Sequence, residues 1–379
     1  MKKLVIGITA SQSIDLLNGQ LKYFKTKRYI VYLMAPNTEE VRKFCIKENV
    51  ALLPINIKRQ ISPFSDLKTL FQIRSILKKV QPDIVNLGTP KVSLLGMMAA
   101  KWLDIPKRIY TCRGFRFEHE NGKLRKFLIG VEKVITYCAH QVICISPSVK
   151  EIGIQEGIFT EQKAKIIAKG SSNGINLKLF NPDNYTVAFK NQLKGKLQLK
   201  DQFVFGYVGR LVDRKGIQEL YKAFDLLYQE RQDVSLLVVG RPYYDQIANP
   251  EILDQYYEHP GITMMGLQPP ESIPEFLTIM DTFVLPAYWE GFGNVLIQAA
   301  AMGVPVLSNK VTGCRDSVNH GFNGELVESH DPQQFKAKML EFLQDKEKLE
   351  SYGKNGITWA QNFKPEIIWE GLEEIYQTK

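Results

Sequence analysis

The alternation of strand, loop and helix that runs through the chain is clearest in one stretch, Pro286-Ala-Tyr-Trp-Glu-Gly-Phe-Gly-Asn-Val-Leu-Ile-Gln-Ala-Ala-Ala-Met-Gly303. A short apolar run at 282–285 precedes it and good helix formers fill 295–302, which predicts a strand, a glycine-rich loop and a helix N-terminus. Gly291 and Gly293 let a ligand approach the backbone, and Asn294 is the expected N-cap. The positive end of the helix dipole favours an anion at such a junction.

Glu290 places a carboxylate in this loop, next to the expected anion site. A carboxylate beside an anion site repels the anion, so Glu290 needs another kind of partner, such as a hydroxyl group that donates to it. A sugar phosphate supplies both groups. Taken alone, however, the stretch fits an ordinary β-to-α connection equally well.

The composition is that of a soluble globular protein with material for two domains: 379 residues, 44% hydrophobic and 23% charged. No apolar run approaches the roughly 20 residues needed to span a bilayer, and the apolar N-terminal run is broken so early that it predicts a first strand rather than a signal peptide. The five cysteines include no Cys-x-x-Cys pair, which favours buried thiols in a reducing compartment over disulfides.

The net charge of +9 is unevenly distributed. Residues 1–185 carry 30 Lys and Arg against 14 Asp and Glu, a balance of +16, whereas residues 186–379 carry 19 against 26, a balance of −7. This asymmetry predicts an anionic partner for the N-terminal half. Because no nucleic-acid motif is visible, we favour an anionic membrane surface over nucleic acid.

A helix predicted at 123–137 has the composition of a helix that lies on a membrane surface. A helix half-buried in its own domain explains the composition about as well. The residues expected to face the lipid are Lys123, Arg125, Lys126, Phe127, Leu128 and Lys133.

Strand and helix patterns alternate through both halves of the chain, which predicts an α/β protein with parallel sheets covered by helices. Turn-forming residues at 170–176 and in Phe180-Asn-Pro-Asp183 predict the boundary between a first domain at 1–182 and a second at 183–379. Ligands of such sheets bind beyond the carboxyl ends of the strands. Three loops of the second domain are therefore of interest besides the opening stretch, those that contain Gly209, Gly240 and Gly266.

The first of these loops reads Gly209-Arg-Leu-Val-Asp-Arg-Lys-Gly216. Arg210 can present its planar fork to a diphosphate, and Lys215 adds a point charge from the start of the next helix. Together the two cations would neutralise a leaving diphosphate. Standing alone, they would be interpreted as solvated surface charges.

The second half of the chain resembles the donor domain of family 4 retaining glycosyltransferases. The resemblance lies in the order and spacing of Gly-Arg-(x)4-Lys-Gly, the two later glycines, and Glu-Gly-Phe-Gly-(x)4-Gln-Ala. The resemblance covers nearly the whole chain and is greatest to bacterial enzymes of capsule, lipopolysaccharide and lipid-linked glycan assembly. It implies the GT-B fold, two Rossmann-like domains that face each other across a cleft, in which the last helix can pack back on the N-terminal domain.

Carried over position by position, the resemblance implies that Arg210 and Lys215 contact the donor diphosphate and that Glu290 holds hydroxyls of the donor sugar. The second glutamate of the family motif, which grips the ribose, is replaced by Gln298. Exchanging a carboxylate for a neutral amide weakens such a contact by about 1 kcal/mol. The complete set of implied donor-binding residues is Gly209, Gly240, Gly266, Gly291, Phe292, Gly293, Asn294, Val295 and Gln298.

A second departure from the family falls at Arg113, where relatives usually have a histidine that reaches toward the donor sugar. Arginine can donate hydrogen bonds and stabilise an anion, but it cannot act as a base at neutral pH. His119, six residues on, is a candidate substitute, although an ordinary polar loop residue is the simpler interpretation. The five histidines lack ligand spacing, so we expect no required metal and no cofactor, the nucleotide sugar being a substrate.

The sequence thus predicts a retaining hexosyltransferase with Glu290, Arg210, Lys215, Arg113 and His119 as candidate catalytic residues. Its donor is a nucleotide sugar, UDP being implied by the family, and its acceptor is lipid-linked or an oligosaccharide at the cytoplasmic membrane face. One alternative is a catalytically silent module that binds a nucleotide sugar or a partner transferase, as the changes at 113 and 298 suggest. The other is a nucleotide-sugar epimerase of the same fold, against which the Glu-Gly-Phe-Gly motif argues.

Overall fold

The computed structural model describes residues 1–58, 60 and 62–378. The chain forms two compact units, Met1–Gly174 with Pro365–Lys379 and Ile175–Lys364. The observed change of unit after residue 174 precedes the expected boundary at 182. The C-terminal segment belongs to the first unit because its helix buries Ile368, Leu372 and Tyr376 in that unit's core.

The first unit is built on a seven-stranded parallel sheet in the order β3-β2-β1-β4-β5-β6-β7. Its strands are β1 (Lys3–Gly7), β2 (Ile30–Ala35), β3 (Ala51–Pro54), β4 (Ile84–Leu87), β5 (Lys107–Cys112), β6 (Gln141–Cys144) and β7 (Ala164–Ile166). Its helices are α1 (Gln20–Thr26), α2 (Glu39–Glu48), α3 (Pro63–Val80), α4 (Pro90–Trp102), α5 (Gly122–Cys138), α6 (Pro147–Gln155) and α15 (Pro365–Gln377).

This sheet is covered on both faces because alternate residues of a strand point to opposite sides. In β5, Tyr110 and Cys112 enter a core formed with α3, α4 and α5, whereas Ile109 enters a core formed with α1, α2 and α15. The two cores explain why the strands are apolar runs rather than alternating ones. They also place α3, α4 and α5 side by side on one face of the sheet.

The second unit is built on a six-stranded parallel sheet in the order β10-β9-β8-β11-β12-β13. Its strands are β8 (Phe203–Val208), β9 (Val234–Val239), β10 (Ile262–Met264), β11 (Thr282–Leu285), β12 (Val306–Asn309) and β13 (Gly324–Val327). Its helices are α7 (Val187–Lys196), α8 (Ile217–Tyr228), α9 (Ile252–Glu258), α10 (Ile273–Leu277), α11 (Asn294–Ala301), α12 (Cys314–Ser317), α13 (Pro332–Gln344) and α14 (Lys346–Ala360).

The predicted α/β class with parallel sheets is therefore confirmed for both units. All five cysteines are buried free thiols, as expected. In the described part of the chain, no helix has both the length and the apolar character needed to cross a membrane.

Candidate active site

Four loops of the second unit meet at one edge of its sheet. β10, β9, β8 and β11 are consecutive neighbours, and in parallel strands the carboxyl ends all lie at the same edge. The loops that contain Gly266, Gly240, Gly209 and Glu290 follow these strands in that order. The motifs that the sequence spreads over about 90 residues are thus brought together.

Two glycines make this close approach possible. Gly216 has φ +68°, and a Cβ there would lie 1.9 Å from the carbonyl oxygen of Pro286 in the neighbouring loop. Gly240 has φ +149°, and its Cβ would lie 1.7 Å from the carbonyl oxygen of Gly209. No larger residue fits either position without moving the adjacent backbone, so the loops after β8, β9 and β11 depend on these glycines for their spacing.

An ion pair joins the two functional loops. Lys215 Nζ contacts Glu290 Oε1, and Arg214 Nη1 lies 3.8 Å from the same oxygen. The side chains of Lys215 and Glu290 are only 11% and 12% exposed, so water screens their attraction less than that of a surface pair. The structure therefore brings Lys215 and Glu290 together, as the carried-over motifs imply, and adds Arg214.

Backbone hydrogen bonds tie the loop of Glu290 to the loop of Arg214 and to the segment after β12. The N–H of Tyr288 donates to the carbonyl of Arg214 at 2.9 Å, and the N–H of Glu290 donates to that of Thr312 at 3.1 Å. Beneath them the hydroxyl of Tyr207 donates to the carbonyl of Arg210 at 2.7 Å. Burial, and then the negative charge of Glu290, raise the pKa of Tyr207, so this hydroxyl keeps its proton.

Arg210 lies at the same edge, against an aromatic ring. Its guanidinium carbon is 5.3 Å from the ring centre of Tyr243, and that of Arg241 is 5.1 Å from the same ring. The N–H of Leu211 donates to the carbonyl of Arg241 at 3.0 Å, which ties the loop after β8 to the loop after β9. Tyr243 thus limits the positions open to Arg210, by a contact of the cation–π type.

Helix α11 begins at Asn294, and its N-cap is Gly293 rather than Asn294. The prediction of an Asn294 cap was wrong because Asn294 is already the first residue of the helix, and the N–H of Gly293 donates to Ser317 Oγ at 3.0 Å. Within the described part of the chain, the buried Oδ1 of Asn294 has no hydrogen-bond partner. Gln298 follows one turn later and is partly exposed, so both side chains lie on the same side of the helix.

Phe292 differs from its neighbours in this loop because its side chain is a core residue. The ring is 6% exposed and lies 5.5 Å from the ring of Phe363. A ligand at this loop can therefore meet Phe292 only through its backbone, which is the contact that the resemblance implies.

Arg113 and His119 belong to the first unit. Arg113 follows β5, and its guanidinium packs against Gly88 and lines a small cavity with Asn86, Thr111 and Ser172. Burial lowers the pKa of Arg113 to about 10, so it remains charged at neutral pH. Its buried Nε and Nη1 have no hydrogen-bond partner among residues 1–58, 60 and 62–378. His119 is an exposed residue at the end of a short 3-10 helix, Arg116–His119.

The helix expected at the membrane is α5, and the structure corrects two of its residues. Arg125 forms an ion pair with Glu156 at 2.5 Å, and Leu128 packs against the core of the first unit. Lys123, Lys126 and Phe127 are exposed as expected. The sequence could not separate the two faces because cations occur on both.

Sequence reasoning missed Arg214, which contacts Glu290 as well as the Trp289 ring, whose centre is 5.2 Å away. The only signal was its position in the run Asp213-Arg214-Lys215. Asp213 itself points elsewhere and accepts a hydrogen bond from the Ala248 N–H at 2.6 Å. Over the described ranges, no three His, Cys, Asp or Glu side chains are grouped as metal ligands.

Comparisons with known proteins agree with this architecture. Two family models match the chain, Glycosyl transferase 4-like over residues 8–146 and Glycosyl transferases group 1 over residues 189–359. The chain is similar to the capsular polysaccharide biosynthesis glycosyltransferase CapM of Staphylococcus aureus, with 36% identity over 381 residues that span 100% of this chain and 97% of CapM.

Another relative is the UDP-Gal:alpha-D-GlcNAc-diphosphoundecaprenol alpha-1,3-galactosyltransferase of Escherichia coli, 29% identical over 76% of this chain and 73% of its own. Among solved structures, Anabaena HepE in complex with UDP and glucose matches with a TM-score of 0.82 and 17% identity over 99% of both chains. The chain belongs to the family 4 glycosyltransferases and has their GT-B fold.

Proposed function

We propose that this glycosyltransferase moves a hexose or N-acetylhexosamine-type sugar from UDP to a lipid-linked or oligosaccharide acceptor in bacterial surface polysaccharide synthesis, with retention of configuration. The observation that carries the proposal is the contact of Lys215 and Arg214 with Glu290 at the meeting point of the glycine loops. Cations and a carboxylate side by side suit a ligand that carries both phosphate and hydroxyl groups.

The two charges of the ion pair have separate roles once a donor binds. Lys215 and Arg210 neutralise the diphosphate as it leaves, and the N-terminus of α11 adds the positive end of its dipole. Glu290, released from part of its contact with Lys215, accepts hydrogen bonds from hydroxyls of the donor sugar. Because these groups are fixed before the reaction, they stabilise the developing charge without reorganising.

The transfer step that we propose needs no protein nucleophile. The bond between the anomeric carbon and the diphosphate oxygen breaks on the face where the acceptor oxygen attacks. The acceptor hydroxyl passes its proton to the departing diphosphate. The protein contributes positioning and charge stabilisation, and we propose that no metal ion is needed because cationic side chains take that role. Transfer should therefore persist in excess EDTA.

The names of the relatives support the acceptor class. CapM acts in capsular polysaccharide biosynthesis, and the Escherichia coli relative is named for a diphosphoundecaprenol-linked acceptor. We propose that this chain likewise works on a lipid-linked acceptor at the cytoplasmic membrane face, where the basic first half of the chain is attracted to anionic lipid.

Purified protein offered a panel of UDP-, GDP- and dTDP-sugars tests the proposal. We expect slow hydrolysis of at least one UDP-sugar, accelerated consumption when a lipid-linked acceptor is added, and little reaction with the other nucleotides. Nucleotide-sugar binding without any turnover would favour the catalytically silent module. Interconversion of two UDP-sugars without transfer would favour the epimerase.

A further inference from the structure

Helices α3, α4 and α5 carry a group of exposed apolar side chains. On α3, Phe64, Leu67 and Phe71 are spaced three and four residues apart, so they form one stripe. Helix α4 packs beside α3, α5 packs beside α4, and both continue the group. We call these eight residues the three-helix face: Phe64, Leu67, Phe71, Met98, Trp102, Phe127, Val134 and Tyr137.

Aromatic and cation–π contacts connect the three helices across this face. Phe71 and Trp102 lie 6.0 Å apart between ring centres, and the guanidinium of Arg74 lies 4.3 Å from the Trp102 ring. Lys101 Nζ lies 3.6 Å from the ring centre of Tyr137 on α5. These rings are positioned by neighbours, yet they stay 50%, 55% and 71% exposed for Phe71, Trp102 and Tyr137. Large rings held in place but left in water are typical of an interaction surface.

The charge around the face has one sign. The three helices contain ten Lys and Arg residues and two acidic ones. Both acids are engaged: Asp66 pairs with Lys91 at 2.8 Å, and buried Glu132 accepts a hydrogen bond from the Tyr110 hydroxyl at 2.8 Å. The exposed lysines are Lys68, Lys78, Lys79, Lys123, Lys126 and Lys133. A second copy meeting this face would bring like charges together, whereas an anionic surface would be attracted.

We infer that the three-helix face is a docking surface for an anionic lipid bilayer, in which aromatic side chains enter the headgroup region and lysines contact lipid phosphates. Trp and Tyr favour the boundary between water and lipid because their rings are apolar and their tips polar. Helices of 18, 13 and 17 residues present a surface about 20 to 27 Å long, which suits a molecule lying flat on the membrane.

This inference rests on the proposed function in placing the acceptor in a membrane, and it changes the expected mode of attachment. Attachment by α5 lysines alone would be lost in salt, because exposed charges are screened over about 10 Å at 0.1 M ionic strength. Inserted rings add an apolar contribution that salt does not screen. Binding to phosphatidylglycerol vesicles should therefore weaken in high salt and still exceed binding to phosphatidylcholine vesicles.

Trp102 provides a native probe, since the other three tryptophans are less exposed. On binding to phosphatidylglycerol vesicles its fluorescence should shift to shorter wavelength and be quenched by lipids brominated near the headgroup. Trp102→Phe should remove most of that quenching while leaving vesicle binding largely intact. Vesicle binding by the wild type with no Trp102-dependent quenching would overturn the inference.

A triple variant, Phe71→Ser, Trp102→Ser and Tyr137→Ser, keeps every charge and should bind phosphatidylglycerol vesicles at least tenfold more weakly in co-sedimentation. The matched control is Ile46→Ser, a 79% exposed residue of α2 on the opposite face of the sheet, which should bind like the wild type. An equal loss in both variants, or a wild-type dimer in solution that the triple variant abolishes, would contradict the inference.

Transfer to a short-chain, water-soluble acceptor separates this inference from the proposed function. The triple variant should keep the wild-type rate there, because none of its changes touches the glycine loops. If the wild type consumes no nucleotide sugar, the proposed function fails, and the vesicle and quenching measurements still decide the docking surface.

Discussion

Two sites, one in each unit, hold buried charged side chains in opposite ways. In the second unit Lys215 and Glu290, both nearly buried, form an ion pair with Arg214 close by. In the first unit Arg113 buries Nε and Nη1 without a partner among the described residues, and Glu132 is buried with a tyrosine hydroxyl as its hydrogen-bond partner. In the function proposed above, the cations of the paired site in the second unit bind the donor phosphates and its carboxylate accepts hydrogen bonds from the donor sugar. In the first unit the two buried groups lack an ionic partner among the described residues, and burying their charged forms costs stability.

The largest effect should come from removing either cation that is proposed to bind the donor diphosphate. Lys215→Ala and Arg210→Ala should each lower the rate of transfer on the order of a hundredfold or more, because each removes a preorganised charge from the leaving diphosphate. Steady-state kinetics with a UDP-sugar donor measures this. Lys194→Ala is the control, since Lys194 pairs with Asp281 elsewhere in the second unit and should leave transfer unchanged. If both site variants kept near wild-type rates of transfer, the donor diphosphate would have to bind elsewhere in the protein.

The buried carboxyl of Glu132 should make the free energy of unfolding depend on pH. Burial raises its pKa to about 7, so between the ordinary pKa of 4.5 and pH 7 the folded state holds a proton that the unfolded state has lost. The free energy of unfolding should therefore fall by on the order of 2 kcal/mol from pH 5 to pH 7 because of this group. Urea unfolding of Glu132→Gln should lack that fall.

Glu325 of the second unit is the matched control for this pH effect. Burial raises its pKa, but hydrogen bonds from Lys348 and Tyr352 outweigh that and leave it lowered. Its contribution to stability should thus be present above pH 4.5 and be lost as the pH falls below it. The two substitutions should change the pH dependence of the free energy of unfolding in opposite directions. If Glu132→Gln and Glu325→Gln changed it in the same direction, the contrast between these two buried glutamates would be wrong.

Arg113 should separate stability from activity. Arg113→Met removes a buried charge whose Nε and Nη1 have no hydrogen-bond partner in the described part of the chain, so the free energy of unfolding should stay unchanged or rise by about 1 to 3 kcal/mol, while transfer falls about tenfold. Arg108→Met is the matched change, because Arg108 donates to the carbonyls of Cys138 and Ile105 at 2.7 and 2.8 Å and its loss should destabilise the fold. Thermal unfolding compares them, and equal destabilisation would show that Arg113 is structural.

Gln298 should give the smallest effect. Restoring the carboxylate with Gln298→Glu should tighten UDP binding by about 1 kcal/mol, roughly fivefold, or leave it unchanged if neighbours have adapted to the amide. Calorimetric titration with UDP measures the change. A hundredfold loss of UDP affinity would show that the Gln298 amide makes a specific contact. Position 298 would then not have the role that the family resemblance implies.

The candidate site of the second unit was easier to predict from the sequence because its residues occur in short motifs at the ends of strands. Arg210, Lys215 and Glu290 could be placed at one edge from the alternation of strands and helices alone. The cap of α11 could not, since Ser317 reaches Gly293 from 24 residues away. Arg214 was hidden because a third cation in a loop gives no indication of the direction in which its side chain points.

In the first unit the sequence predicted the elements but not their faces. The amphipathic pattern of α15 indicates a helix with a buried stripe, and only the family resemblance pointed to the N-terminal domain as the place where that stripe is buried. The cations of α5 occur on both its sides, so Arg125 and Lys126 look equivalent until Arg125 is found paired with Glu156. The exposed rings of α3 and α4 were missed because they become neighbours only through helix packing.

We propose that the paired site of the second unit supports transfer from a UDP-sugar with retention. Proton NMR of the glycan formed from an α-linked UDP-sugar and a short lipid-linked acceptor tests it most directly. The account predicts a new α-anomeric signal with the wild type and no more than about a hundredth of its initial rate with Lys215→Ala. A β-anomeric product, or an α product formed equally fast by both proteins, would contradict it.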